Sequence, residues 1–107
     1  VNKNRISISQ LVNLTSMNAA KIFGMYPAKG SLEVNSDADI TLVDLKKEQK
    51  VTTELFGGFS DYIVYDGWKL KGWPVKTIIR GQTISEDFQV VGKSGYGKLV
   101  SRKTNST

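Results

Sequence analysis

One stretch of helical periodicity near the start of the chain is followed only by short segments that alternate between apolar and polar residues. Ser7 and Gln10, three residues apart, form the pattern of a capping box, and Ile6 can pack on Leu11 as a hydrophobic staple. Side chains of one stripe then recur at helical spacing, at Ile8, Leu11, Val12, Thr15, Ala19, Ile22 and Phe23. The pattern predicts a helix whose stripe faces the protein core.

Turn-forming residues mark the end of this helix. Gly24 tolerates the left-handed conformation in which helices commonly end, and Pro27 cannot continue a helix. Asn18 is in addition a candidate second cap inside the stretch, because asparagine favours the position before a first helical turn. The sequence therefore predicts one helix between Ser7 and Gly24.

Beyond Gly30 the pattern has the period of strands. Residues 31–34 alternate, and with a strand from about residue 39 to residue 44 they predict a hairpin-like pair. Further short strands are predicted at residues 49–52, 75–79, 83–86 and 89–91. Tight turns separate the last of them, at Arg80-Gly81-Gln82 and at Glu86-Asp87. We expect an α+β fold, in which one helix precedes a small, mostly antiparallel β domain.

The residue types exclude most sites for catalysis. The chain has no cysteine and no histidine, so thiolate ligands, the commonest metal ligand and the commonest general acid or base are all missing. Asp37, Asp39 and Asp44 could be imagined as a cation site, but their spacing lacks the glycine and the bidentate glutamate of a calcium loop. Turn formation and strand ending explain these aspartates better. We assign no catalytic, cofactor-binding or metal-binding residue.

The segment GKSGYGKL, residues 92–99, nearly matches a phosphate-binding loop. Gly92, Gly97 and Lys98 fit that pattern, but Leu99 stands where a hydroxyl is needed for magnesium. The polar residues that follow are too few to form the helix whose N-terminus faces the phosphates. We therefore interpret the segment as a glycine-rich turn that leads into a C-terminal tail.

Two blocks of the chain resemble the cyclic amidohydrolases. They are LVNLTSMNAAKIFGMYPAKGSLEVNSDADITLVD and GWKLKGWPVKTIIRG, and VVGKSGYGKLVSR fits the tail of the same proteins. The residues that match the family pattern are Thr15, Ser16, Asn18, Ala20 to Gly24, Tyr26, Pro27, Lys29, Gly30, Asp37 to Asp39, Asp44, Gly67, Gly72, Pro74, Val75, Thr77, Arg80 and Gly81. The resemblance is closest to the C-terminal portion of the allantoinase, hydantoinase (dihydropyrimidinase) and dihydroorotase branch.

This resemblance implies a parent protein with a TIM barrel and a composite β-sandwich. It implies hydrolysis of a C–N bond in a cyclic amide such as dihydroorotate, a hydantoin, a dihydropyrimidine or allantoin. Family members hold one or two divalent metals, usually zinc, on barrel histidines, an aspartate and a carboxylated lysine, all upstream of the region matched here. We therefore expect residues 1–27 to be the last barrel helix and its connection, 28–91 a partial β-sandwich and 92–107 the glycine-rich tail. The chain by itself is expected to be inactive.

Three residues depart from the family pattern. Ala19 replaces a proline, which allows the helix to run through this position. Asn35 replaces a glycine and is tolerated because asparagine also visits left-handed turns. Phe88 replaces the glycine after Glu86-Asp87, so that turn is expected to take another form. Because the family's N-terminal strands are not in this sequence, apolar faces around Ile40, Leu42, Ile78 and Ile79 are expected to lack cover.

A second hypothesis is a free-standing basic module for binding or assembly, with single-stranded nucleic acid as a candidate partner. The net charge is +5, and one stretch combines aromatic and basic side chains, at Trp68, Lys69, Lys71, Trp73, Lys76 and Arg80. Even spacing of the lysines favours a solvated surface instead. The resemblance implies a homo-oligomer, because in this branch the C-terminal tail tends to lie at subunit contacts. No long apolar run and no signal-peptide pattern is found, so we expect no membrane partner and a cytoplasmic location.

Overall fold

The structure, a computed structural model, describes residues 1–103. Within them, residues 1–39 and 94–103 form one compact unit and Ile40–Lys93 form a second. The first unit contains the helix, and the second contains a four-stranded sheet. One helix and a small antiparallel sheet are therefore confirmed. The last part of the predicted tail, residues 104–107, lies outside the described residues.

The helix is continuous but changes its winding in the middle. An α-helical turn α1, Ile8–Val12, passes through a π-helical turn, Asn13–Met17, into a second α-helical turn α2, Asn18–Ile22. At its start the Ser7 hydroxyl accepts from the Gln10 backbone N–H at 3.1 Å, and the Ser7 N–H donates to the Gln10 side chain at 2.8 Å. The predicted capping box is confirmed.

Asn18 is not a cap. Its φ and ψ of −65° and −39° are those of a right-handed helix, and its N–H donates to the Asn13 carbonyl across the π-helical turn. Ala19 leaves the helix free to run through this point, as its replacement of proline predicts. Near the widened turn, the Thr15 hydroxyl donates to the Leu11 carbonyl at 2.7 Å, a back-bond of the kind that bends helices.

The apolar stripe of the helix is not a core, contrary to the sequence prediction. Ala20 is the helix residue that is buried, whereas Ile8, Val12 and Ile22 are 48%, 51% and 74% exposed. The described residues of this unit contain no strand and no second helix that could cover the stripe. Periodicity identifies an apolar face correctly, but it does not show whether a partner surface lies in the same chain.

Turns connect the helix to the sheet. Gly24, with a φ of +72°, follows the helix as predicted, and Asn35 is left-handed at +73°. The predicted strand at residues 31–34 is wrong, because residues 31 and 32 are irregular and residues 33 and 34 form a bend and a turn. The Ser36 N–H donates to the Glu33 carbonyl at 3.1 Å. This bond closes a local turn, whereas the backbone of a strand would bond to a neighbouring strand.

The sheet is an antiparallel meander of β1 (Ile40–Lys50), β2 (Lys69–Ile79), β3 (Gln82–Glu86) and β4 (Gln89–Val90), in that order. A short 3₁₀ helix, Thr53–Phe56, lies in the connection between β1 and β2. The first half of the predicted strand at residues 49–52 is the end of β1, so one long strand replaces two short ones. Its last pair is Lys50 with Lys69, and the first is Ile40 with Ile78.

Val51 and Trp73 are the buried apolar residues of the sheet unit, at 2% and 6% exposure. The Val51 N–H donates to the Trp68 carbonyl at 2.7 Å, and the Val51 carbonyl accepts from the Gly67 N–H at 2.9 Å. This pairing extends the β1–β2 ladder beyond its last regular pair. Of the apolar residues that were expected to lack cover, Leu42 is 45% exposed, and Ile40, Ile78 and Ile79 are partly buried.

Both predicted tight turns of the meander form. Arg80 and Gly81 are left-handed, with φ of +44° and +79°, as in the turns that join adjacent strands of a hairpin. Asp87 and Phe88 are left-handed too, at +48° and +64°. The expectation that phenylalanine forces another turn form is therefore wrong. Contacts of the Phe88 ring, described below, hold a conformation that a bulky residue rarely adopts.

Candidate functional site

The main cluster of charged side chains in the helix unit is centred on Lys29. Its ammonium group forms an ion pair with the Asp37 carboxylate at 2.9 Å and a second with the Asp39 carboxylate. The Lys29 side chain is only 18% exposed, whereas the Asp37 and Asp39 side chains are 43% and 31% exposed. The three residues close the connection between the helix and β1 into one charged loop, which we call the Lys29 cluster.

Backbone contacts put Lys29 in this position. The Asp37 N–H donates to the Ala28 carbonyl at 2.9 Å, so the two ends of the loop meet beside Lys29. Gly30 follows with a φ of +79°, and a Cβ atom there would lie 2.6 Å from the Cβ of Ala20. Only glycine allows this close approach of the loop to the helix.

The chemistry of the Lys29 cluster is that of a structural clamp. The hydrogen bonds that the Lys29 ammonium group donates to Asp39 and, to a lesser extent, to Asp37 raise the pKa of Lys29 above its ordinary 10.5, against a smaller opposing effect of burial. A lysine held in its charged form is neither a nucleophile nor a general base. The sequence did not lead us to predict a role for Lys29. A lysine and two aspartates in the same loop are nevertheless a pattern that can indicate an ion pair.

The aspartates do not form a cation site. Asp37 and Asp39 bind Lys29, and the Asp44 carboxylate accepts from the backbone N–H groups of Lys46 and Lys47 at 2.9 and 3.2 Å. Across residues 1–103 no group of three or more carboxylate, histidine or cysteine side chains is arranged to hold a metal. The side chains present therefore do not fit a zinc centre.

The two tryptophans of the basic, aromatic stretch have different environments. Trp73 is buried, its indole N–H donates to the Leu70 carbonyl at 2.8 Å, and its ring packs edge to face on Phe88. Trp68 is 56% exposed and packs edge to face on Tyr65, with ring centroids 5.2 Å apart. One of the two candidate stacking rings is therefore used for packing in the sheet unit.

Some of the basic side chains in this stretch face carboxylates. Lys69 lies 3.7 Å from the Glu48 carboxylate, and Lys76 lies 3.2 Å from that of Glu86. The Lys69 and Glu48 side chains are 74% and 54% exposed, so this pair contributes little to stability. Both lysines lie on β2, and the two carboxylates lie on its neighbours β1 and β3.

The segment GKSGYGKL has the backbone of a turn and contains no helix. At its start the Gly92 N–H donates to the Ile84 carbonyl at 3.0 Å, so this amide serves the sheet and is not turned toward an anion. The described residues after Leu99, which end at residue 103, form no helix. Neither feature resembles the strand, loop and helix of a phosphate-binding site.

These observations define a structural segment with an ion-pair clamp and exposed apolar faces, and comparison with known proteins gives its class. The profile of the Amidohydrolase family matches residues 1–84. The chain therefore belongs to the amidohydrolase family. The resemblance to the C-terminal portion of a cyclic amidohydrolase is confirmed.

Within the family, the chain is similar to hydantoinases. It is 40% identical over 103 residues to an L-hydantoinase from Paenarthrobacter aurescens and 39% identical over 102 residues to a D-hydantoinase from Geobacillus stearothermophilus. These matches cover 96% and 95% of this chain but 22% of each relative. The chain thus spans about a fifth of the length of the relatives that it matches.

Solved structures give the same result. A D-hydantoinase structure superposes with a TM-score of 0.92 at 40% identity, over 96% of this chain and 22% of the other. A dihydropyrimidinase from Brevibacillus agri also gives a TM-score of 0.92, at 38% identity, over 97% of this chain and 23% of the other.

Among the described residues, no helix is long and apolar enough to span a membrane.

Proposed function

We propose that this chain is the C-terminal part of a metal-dependent cyclic amidohydrolase that hydrolyses a C–N bond in a hydantoin or dihydropyrimidine ring. The observation that carries the proposal is 40% identity to hydantoinases over 96% of the chain, together with a TM-score of 0.92. Dihydroorotate and allantoin contain the same kind of cyclic amide and stay as alternative substrates.

In this proposal the chain supplies structure and no chemistry. It has no histidine, and the Lys29 cluster engages its carboxylates with an ammonium group. A divalent metal, zinc in our proposal, would need histidine and carboxylate ligands from other parts of a longer protein. We therefore propose that the 107-residue chain by itself does not open cyclic amides.

We also propose that the protein that contains this chain is a homo-oligomer. Large apolar side chains on the described surface support association, including Phe59, Val34 and Leu99 at 107%, 91% and 98% exposure. Sedimentation velocity of the purified chain at increasing concentration tests whether these surfaces drive self-association. A monomer at every concentration would contradict the part of the proposal that assigns association to this chain.

The alternative of a free-standing module that binds single-stranded nucleic acid stays a prediction of the sequence. Burial of Trp73 and the ion pairs of Lys69 and Lys76 favour a packing role for this stretch. A cytoplasmic location likewise stays a prediction.

A segment exchange tests the proposed function. The matching segment of the Geobacillus stearothermophilus D-hydantoinase is replaced by this chain, and hydrolysis of hydantoin and of dihydrouracil is measured with metal supplied. We expect a folded, active hybrid. The control hybrid carries the corresponding segment of the Paenarthrobacter aurescens L-hydantoinase. This relative is 40% identical to the present chain, and the Geobacillus stearothermophilus enzyme that receives the segment is 39% identical to it. An active control beside a folded but inactive test hybrid would contradict the proposal.

A further inference from the structure

Gly24, at the end of the helix, is in contact with the C-terminal tail. The Lys103 N–H donates to the Gly24 carbonyl at 2.9 Å. Both residues belong to the same compact unit. Carbonyl groups in the last turn of a helix lack partners within the helix, so a tail amide that binds just beyond the last turn helps to satisfy this end.

The tail lies so close to Gly24 that no side chain fits between them. A Cβ atom built on Gly24 would lie 2.3 Å from the Lys103 carbonyl oxygen, 3.1 Å from Cγ of Arg102 and 3.2 Å from the Lys103 carbonyl carbon. Two of these three atoms are backbone, so a change of side-chain rotamer could not relieve the clash. Alanine at position 24 would have to displace the tail.

We propose that the tail binds at Gly24, and that the absence of a side chain there allows the tail to close over the end of the helix. We call this contact between Gly24 and residues 102–103 the tail latch. In the closed latch the Lys103 carbonyl oxygen lies 2.3 Å from the position that a Cβ atom would take. Enlarging residue 24 opens the latch and releases the tail. The proposal concerns residues of this chain only and does not rest on the proposed enzymatic function.

A left-handed glycine elsewhere in the chain provides a matched control. Gly57 ends the 3₁₀ helix with a φ of +58°, and a Cβ atom built there meets nothing within 4 Å. Gly24→Ala and Gly57→Ala both place alanine in a left-handed conformation, which strains the backbone in each case. Only the first also requires the tail to move.

Hydrogen exchange of the Lys103 amide, followed by NMR on the full chain, tests the latch. We expect Gly24→Ala to speed exchange at Lys103 by at least about threefold, the effect of losing one modest hydrogen bond. Gly57→Ala is expected to leave this rate unchanged. Equal exchange rates in the parent chain and both variants would overturn the proposal.

A truncated background settles the case in which Gly24→Ala does not fold in the full chain. Removal of residues 102–107 takes away the three atoms nearest to the built Cβ atom. In that background we expect Gly24→Ala to fold and to lose no more stability than Gly57→Ala does. A Gly24→Ala variant that still fails to fold, or is much less stable than Gly57→Ala, would show that the tail is not the cause.

Discussion

The ring of Phe88 packs edge to face on the buried ring of Trp73, with centroids 5.5 Å apart and an interplanar angle of 76°. The Lys47 ammonium group lies 4.8 Å from the centroid of the Phe88 ring on the same sheet. These contacts coincide with a left-handed backbone at Phe88, whose φ is +64°. The side-chain contacts offset the strain that phenylalanine incurs in this conformation.

Replacement of Phe88 separates the stabilising contacts of its ring from the strain of its left-handed backbone. Phe88→Ala loses the ring contacts and keeps a strained left-handed residue, whereas Phe88→Gly loses the same contacts and removes the strain. We expect Phe88→Ala to lower the free energy of unfolding by about 1–3 kcal/mol. Phe88→Gly should be more stable than Phe88→Ala by about 1 kcal/mol. Urea unfolding followed by tryptophan fluorescence measures both, and a Phe88→Gly variant that is less stable than Phe88→Ala would contradict this account.

Removal of the Lys29 ammonium group leaves two partly buried carboxylates without their main cationic partner. We expect Lys29→Met to lower the free energy of unfolding by about 1–2 kcal/mol, allowing for the partial exposure of Asp37 and Asp39. Lys69→Met is the matched control, since its ion pair with Glu48 is long and exposed. It should change stability by no more than about 0.5 kcal/mol. Equal effects of the two substitutions in urea unfolding would argue against a clamp at Lys29.

The raised pKa of Lys29 gives the clamp a defined pH dependence. Because the folded-state pKa lies above the ordinary 10.5, the contribution of the charged lysine is complete below 10.5 and is lost as pH rises through the folded-state value. The stability difference between the parent chain and Lys29→Met should therefore be constant from about pH 7 to about pH 10 and shrink above that range. Taking the difference between the two chains cancels the pH effects that they share. A difference that grows above pH 10.5 would reverse the predicted sign.

Local chemistry made much of the fold predictable from sequence. The Ser7 capping box, the end of the helix at Gly24 and the turn at Arg80-Gly81 each depend on a few neighbouring residues, and each is confirmed. The second cap predicted at Asn18 is wrong: the helix runs through this residue, with alanine at position 19 where a proline would favour a helix start.

Features that depend on distant parts of the chain could not be predicted in this way. Residues 31–34 alternate like a strand, but they pair with no strand among residues 1–103, and a turn closes at Glu33 and Ser36 instead. Phe88 keeps the left-handed turn because Trp73, which is distant in sequence, packs against its ring. The Lys29 cluster likewise depends on how the loop folds back, and sequence spacing alone does not fix that.

Single-stranded nucleic acid should bind weakly if at all. Trp73 is buried and Lys69 and Lys76 lie near carboxylates, so few groups are left to stack bases and neutralise phosphates together. Titration of the chain with oligodeoxythymidine at two salt concentrations, followed by fluorescence anisotropy, checks this. We expect weak binding with a shallow salt dependence. Tight binding that falls steeply with salt would favour the free-standing binding module.

The most direct test of the central claim is the rate of hydantoin ring opening by the purified 107-residue chain after incubation with zinc, compared with zinc in buffer. Metal content of the desalted chain is measured on the same sample. Since the described residues form no metal-holding group and the sequence has no histidine, we predict no bound zinc and no rate above the buffer. Stoichiometric zinc together with ring opening that a chelator abolishes would contradict the account.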